Sequence, residues 1–105
     1  MKDGFFRIAA ATPVIRVADC RHNGSAVIDL MREAEQQQAG VVVFPELCLT
    51  GYTCGDLFRD NTLIAGAEAA LSRILHETRG MRIIAVIGVP VALNAELNNT
   101  AAVLH

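Results

Sequence analysis

Short unbroken apolar runs alternate along this chain with longer stretches in which apolar residues return every third or fourth position. The runs at residues 5–11, 41–44 and 82–89 have the length and composition of buried strands. Thr12-Pro13 closes the first, because a residue before proline avoids the helical region, and Pro90 stops the third. Between the first two, Cys20, Gly24, Val27, Leu30, Met31 and Ala34 make one stripe of an amphipathic helix over residues 20–38. Asp19 is its N-cap and Gly40 is placed to end it. A second helix, capped by Asp60 or Asn61, carries Leu63, Ile64, Ala67, Leu71, Ile74, Leu75 and Thr78 on its apolar face and ends at Gly80. Residues 92–97 then read as a polar turn, Asn98-Asn99 as a turn tied down by a side-chain amide, and residues 100–104 as the start of a fourth strand. The order is β-α-β-α-β-β, an α/β chain, and the first two strands, joined through a helix, should be parallel.

Composition narrows the class. Of 105 residues, 52% are hydrophobic and 19% charged, the balance of a folded globule the size of one domain or part of one. The formal net charge is −2 with basic residues scattered, so neither nucleic acid nor an anionic membrane is expected as a partner. Cys20, Cys48 and Cys54 make neither an even set nor a Cys-x-x-Cys pair, so no disulfide framework and no metal site are expected. Lys2, Asp3, Arg7 and Pro13 interrupt the N-terminal apolar stretch, which suits neither a signal peptide nor a membrane span; a cytoplasmic location is expected. The apolar run at residues 101–104 leads straight to His105 without turn or cap, so the chain reads as a piece cut from a larger domain.

The run Val41-Val42-Val43-Phe44 ends in Pro45-Glu46. Pro45 donates no ladder hydrogen bond, so pairing weakens there and Glu46 falls at the strand's carboxyl end, where open α/β sheets bind ligands. A partly desolvated carboxylate in such a place suits a general base; the other reading is a Glu on a solvated loop or at a helix N-terminus. No G-x-G-x-x-G or G-x-x-x-x-G-K follows any strand, which disfavours direct nucleotide binding, and Gly88 marks close backbone approach instead. A receiver-type domain would want acidic residues where Thr12 and Pro13 stand. Residues 48–59 are too long for a bare connection and have room for a helical turn near Asp56-Leu57-Phe58. Candidate nucleophiles are Cys48, Cys54, Ser25, Thr50 and Thr53; a thiol paired with Glu46 is one reading of the cysteines and simple packing is the other. His22 and His76 fall on helices as surface residues, and His105 is terminal. Tyr52, aimed by Gly51, either orients a substrate through its hydroxyl or fills an apolar gap, and Asp56 suits a loop cap.

These residues together resemble the start of a nitrilase-superfamily (carbon–nitrogen hydrolase) domain. The likeness rests on strand residues 6–11, Ala39-Gly40, the block Val42-Val43-Phe44-Pro45-Glu46-Leu47 with Thr50-Gly51-Tyr52, then Gly88-Val89-Pro90 and Asn99-Thr100-Ala101. More narrowly, residues 44–52 running into Gly55-Asp56-Leu57-Phe58 are similar to the glutaminase domains of glutamine-dependent NAD⁺ synthetases. The resemblance implies that residues 1–105 are the N-terminal portion of a nitrilase-like α-β-β-α sandwich. The family works through a Glu-Lys-Cys triad, and Glu46 occupies the position of the Glu. It would take the proton of the cysteine that attacks an amide, glutamine or another small one; a thioester forms, ammonia leaves and water releases the acid. Tyr52 is the candidate substrate-binding residue. The family's Lys and Cys follow later strands, the one lysine here is Lys2, and neither Cys48 nor Cys54 takes the nucleophile's place, so this segment alone is expected to be inactive. In the family, ammonia passes to a C-terminal synthetase domain that uses ATP and Mg²⁺ to amidate nicotinic acid adenine dinucleotide; no cofactor is expected in this segment. Family members commonly form larger oligomers, which implies a homo-oligomer here. Asn98 departs from the family's usual tyrosine. Two alternatives stay open: a stand-alone nitrilase-type amidase or carbamoyl hydrolase with the same base, and a non-catalytic α/β assembly module whose Glu46 only organises a loop.

Overall fold

The computed structural model describes residues 6–51, 61–93 and 96–105. Strands β1 (Ile8–Ala10), β2 (Val41–Val43), β3 (Ile84–Leu93) and β4 (Glu96–Leu104) form one sheet in the order β1-β2-β3-β4, with helices α1 (Cys20–Gln36) and α2 (Asn61–Glu77) as the connections. β1, β2 and β3 are parallel, in register Ile8↔Val41 and Val41↔Ile84, as the helical crossovers require. Two successive crossovers of the same hand place both helices on one face. Accordingly α1 packs on α2, and Val27, Ile28 and Met31 of one join Ala67, Ala70 and Ile74 of the other over Val42, Ala85, Ile87 and Val89 in a single core.

The α1 stripe forms as its spacing predicts, and Asp19 caps it by accepting a hydrogen bond from His22 N at 3.1 Å. Its end differs from expectation. Gln38, at φ 62°, takes the left-handed position, while Gly40 N donates to Arg7 O at 2.8 Å and so opens β2. Glu35, in the last turn of α1, accepts from Arg82 N and Ile83 N and ties the entry of β3 to the helix. On α2, Leu75 faces solvent and Ala70 takes a place in the core instead. Asp60 lies outside the described residues.

The expected stop at Pro90 is overturned, as is the turn at Asn98-Asn99; of the turn expected over residues 92–97, residues 92–93 and 96–97 are strand and residues 94–95 lie outside the described residues. β3 continues through Pro90 to Leu93, and β4 starts at Glu96 and pairs antiparallel along its whole length, with Pro90↔Asn99 and Ala85↔Leu104. The physical reason lies in the stagger of the sheet. β2 ends at Val43, opposite Val86, so farther along β3 has a strand on one side only among the described residues, and proline is tolerated there as on an edge. No helix of the described residues is long and apolar enough to cross a membrane.

Candidate active site

Side chains alternate across a strand, so Ala85, Ile87 and Val89 point to the helices while Val86, Gly88 and Pro90 point the other way. Beyond β2 the chain turns at residues 46–50 and lays this turn on the second face of β3. Gly88 makes that possible. A Cβ at Gly88 would lie 2.8 Å from the Glu46 carbonyl carbon and closer still to Leu47 N and Pro45 O, so only a bare Cα admits the turn. The expectation that Gly88 marks close backbone approach holds.

The turn is fixed from within and from below. Leu47 sits at φ 52°, a left-handed conformation that costs a side-chain-bearing residue about 1–2 kcal/mol. Its carbonyl accepts from Thr50 N at 3.2 Å and from Gly51 N at 2.7 Å, and Gly51 itself stands at φ +81°. Asn23 of α1, wholly buried, spans the gap between two loops: its Nδ2 donates to Arg16 O at 2.8 Å and to Leu49 O at 2.9 Å, and its Oδ1 accepts from Arg16 N at 2.7 Å. Ala18 N adds a bond to Thr50 O at 2.8 Å. A buried amide with three good bonds rigidifies what it joins, because losing any partner would leave a polar group without water. Asn23 had a sequence signal: it stands in the apolar stripe between Cys20 and Val27, where a polar residue needs a reason.

Glu46 therefore leaves the end of β2 on a held backbone with its side chain exposed. Asn99, on β4 opposite Pro90, shares the face of Gly88, and its Nδ2 donates a hydrogen bond to Glu46 Oε1. Beside this pair a recess of about 170 Å³ is lined by Leu47, Pro90, Leu97, Asn98 and Asn99. Sequence reading missed the pairing because 53 residues separate the two side chains and only the β3–β4 register joins them.

Cys48 faces the opposite way. It is 1% exposed, its Sγ donates weakly to Gly88 O at 3.7 Å, and burial pushes its thiol up to about 11. At neutral pH such a thiol is almost wholly protonated, so packing, not a thiol–Glu46 pair, accounts for it. Tyr52, Thr53, Cys54 and Asp56 lie outside the described residues. Ser25 sits exposed on α1 with its hydroxyl bonded to Arg21 O, and His22 directs Nε2 to Val14 O at 3.3 Å; neither is near Glu46 in the chain or bonded to it. His76 is exposed, as expected, whereas His22, also expected on the surface, is half-buried; the terminal His105 is exposed. A larger cavity of about 670 Å³ lies between α1 and α2, lined by Cys20, Arg21, Gly66 and Arg73 among others, and contains none of the residues around Glu46.

Comparison with known proteins bears on the family and the fold. The glutamine-dependent NAD(+) synthetase of Mycobacterium tuberculosis is 33% identical over 102 residues, a match that takes in 97% of this chain and 15% of that one. A crystal structure of a glutamine-dependent NAD(+) synthetase from Cytophaga hutchinsonii superposes with a TM-score of 0.86 at 25% identity, over 94% of this chain and 17% of that one. An amidase from Nesterenkonia sp. gives 0.79 at 25% identity, over 98% and 39%. The chain thus spans about a sixth of the synthetases it matches, and its α/β architecture is that of a nitrilase-like fold fragment. The carbon–nitrogen hydrolase family model matches residues 7–105, and the chain belongs to that family.

Proposed function

We infer that this chain is the N-terminal part of the glutamine-hydrolysing half of a glutamine-dependent NAD⁺ synthetase, and that Glu46 is the general base of its amidase chemistry. The observation that carries the reading is the placement of Glu46: an exposed carboxylate at the carboxyl end of a parallel strand, on a turn seated against Gly88. The likeness to synthetases over nearly the whole chain supports glutamine as the substrate. In the complete protein a cysteine thiol gives its proton to a Glu46 carboxylate oxygen as the sulfur attacks the glutamine amide carbon. The amide nitrogen leaves as ammonia on taking that proton, and water then cleaves the thioester to glutamate. A lysine ammonium balances the charge that gathers on the amide oxygen. The family's lysine and cysteine follow later strands, so on this reading both partners come from chain outside residues 1–105, and we expect this segment by itself to turn over no glutamine.

ATP and Mg²⁺ belong to the synthetase portion. Among the described residues no His, Cys, Asp or Glu side chains cluster as a metal ion needs, and no step above passes through ATP or Mg²⁺. Tyr52, close to Glu46 in sequence, is our candidate for orienting the substrate. A cytoplasmic homo-oligomer suits a chain with buried, reduced thiols and an uncovered apolar sheet face.

Glu46→Gln in the complete protein tests the proposal. Glutamine-dependent NAD⁺ formation falls by roughly 10²-fold or more, the usual contribution of a general base, while ammonia-dependent formation stays unchanged. Unchanged glutamine turnover would return Glu46 to a loop-organising role. Activity on simple amides without any NAD⁺ formation would favour a stand-alone amidase, the reading to which the Nesterenkonia likeness lends weight.

A further inference from the structure

We propose that Asn99 is the positioning residue of Glu46: its amide holds one carboxylate oxygen so that the other is presented to the nucleophile. The inference rests on the reading of Glu46 as the base. A glutamate side chain has three rotatable bonds, and fixing it for proton transfer costs conformational freedom. The bond from Asn99 Nδ2 to Oε1 supplies the fixing before substrate arrives. With Oε1 held by Asn99, Oε2 is the oxygen this proposal assigns to the thiol proton.

Both ends of the bond ride on one strand. The turn that carries Glu46 is seated on Gly88, and Asn99 is the cross-strand partner of Pro90, two residues farther along the same face of β3. A movement of the hairpin therefore carries donor and acceptor together. The chemistry of the donor matters as well. A lysine or arginine at this place would neutralise the base, and an acid would compete for its proton, whereas a neutral amide orients the carboxylate and leaves its charge in place. Both side chains are exposed, so the bond competes with water and contributes little to folding. Asparagine is also a poor strand former, so the strand itself does not ask for it. Its place near the turn end of the hairpin is better explained by what it holds.

Three variants of the complete protein test this, with Glu46→Gln beside them. Asn99→Leu keeps the bulk and removes the donor: kcat for glutamine hydrolysis drops about 10- to 100-fold, the cost of misplacing a catalytic group, with KM, ammonia-dependent NAD⁺ formation and the melting temperature held. Asn99→Gln restores a donor and recovers part of the loss. Asn99→Asp sets two carboxylates together, so the acid limb of the kcat/KM profile moves upward by about one pH unit or more. A kcat within twofold of wild type in Asn99→Leu, or a loss carried by KM or melting temperature alone, overturns the proposal. If Glu46→Gln abolishes glutaminase activity and Asn99→Leu does not, only the Asn99 role fails; if Glu46→Gln itself stays active, the base assignment fails and the role of Asn99 with it.

Discussion

The two faces of the sheet are made of similar residues in different surroundings. Toward the helices, Val42, Ala85 and Ile87 are 0% exposed; on the other side Ile8 is 66%, Val43 41% and Val103 67% exposed. Helices α1 and α2 bury the middle of one face, so that part is core, and even the thiol at Cys48 is silenced by burial. The other face carries the turn on Gly88, the Glu46–Asn99 bond and the recess beside them. A carboxylate acting as the proposed base needs held backbone and open space together, and the second face offers both.

The contrast can be broken from either side, and the largest effect belongs on the helix face. Ile87→Ala removes buried methyl groups from a packed core, and urea denaturation of the 105-residue chain should register a loss of about 2–5 kcal/mol. Val103→Ala, on the open face, should change it by less than about 0.5 kcal/mol; a cost as large as that of Ile87→Ala would mean the open face is covered in solution. Alkaline titration examines how dry the core is at Cys48. Its thiol rises from 9.0 to about 11 because the folded chain holds the protonated form, so the unfolded chain loses its proton first. That stability is complete below pH 9.0 and is lost as pH climbs through about 11, a decline of about 2–3 kcal/mol that Cys48→Ala should remove from a stability–pH curve. Gly88→Ala tests the open face where backbone meets backbone. The added methyl group has nowhere to go but the Pro45–Leu47 main chain, so we expect a loss of about 1–3 kcal/mol in stability, with glutamine-dependent activity falling further than stability explains.

The parts of the molecule that are local in sequence could be read from it. The α1 stripe with Asp19 before it, the crossover order and the strand end at Glu46 all follow from periodicity and breakers within a few residues. The β3–β4 hairpin could not be read this way. Pro90 and Asn98-Asn99 carry the composition of turns, and what makes them strand is the stagger that leaves β3 unflanked beyond Val86, a property of the assembled sheet. The same limit hid half of the site. Glu46 announces itself by its neighbours Pro45 and Leu47, whereas Asn99 gains meaning only when β4 folds back along β3.

The bonds that hold the Glu46 turn end almost entirely on main-chain atoms: the carbonyls of Leu47, Leu49 and Thr50 receive them, and Gly88 meets bare backbone. The address of the carboxylate is thus written in peptide groups, while the side chains of Leu47 and Leu97 line the neighbouring recess. If Glu46 is the base proposed above, a lineage could exchange those side chains to accept amides of another shape without moving it, so substrate preference and catalytic geometry can drift separately in this scaffold.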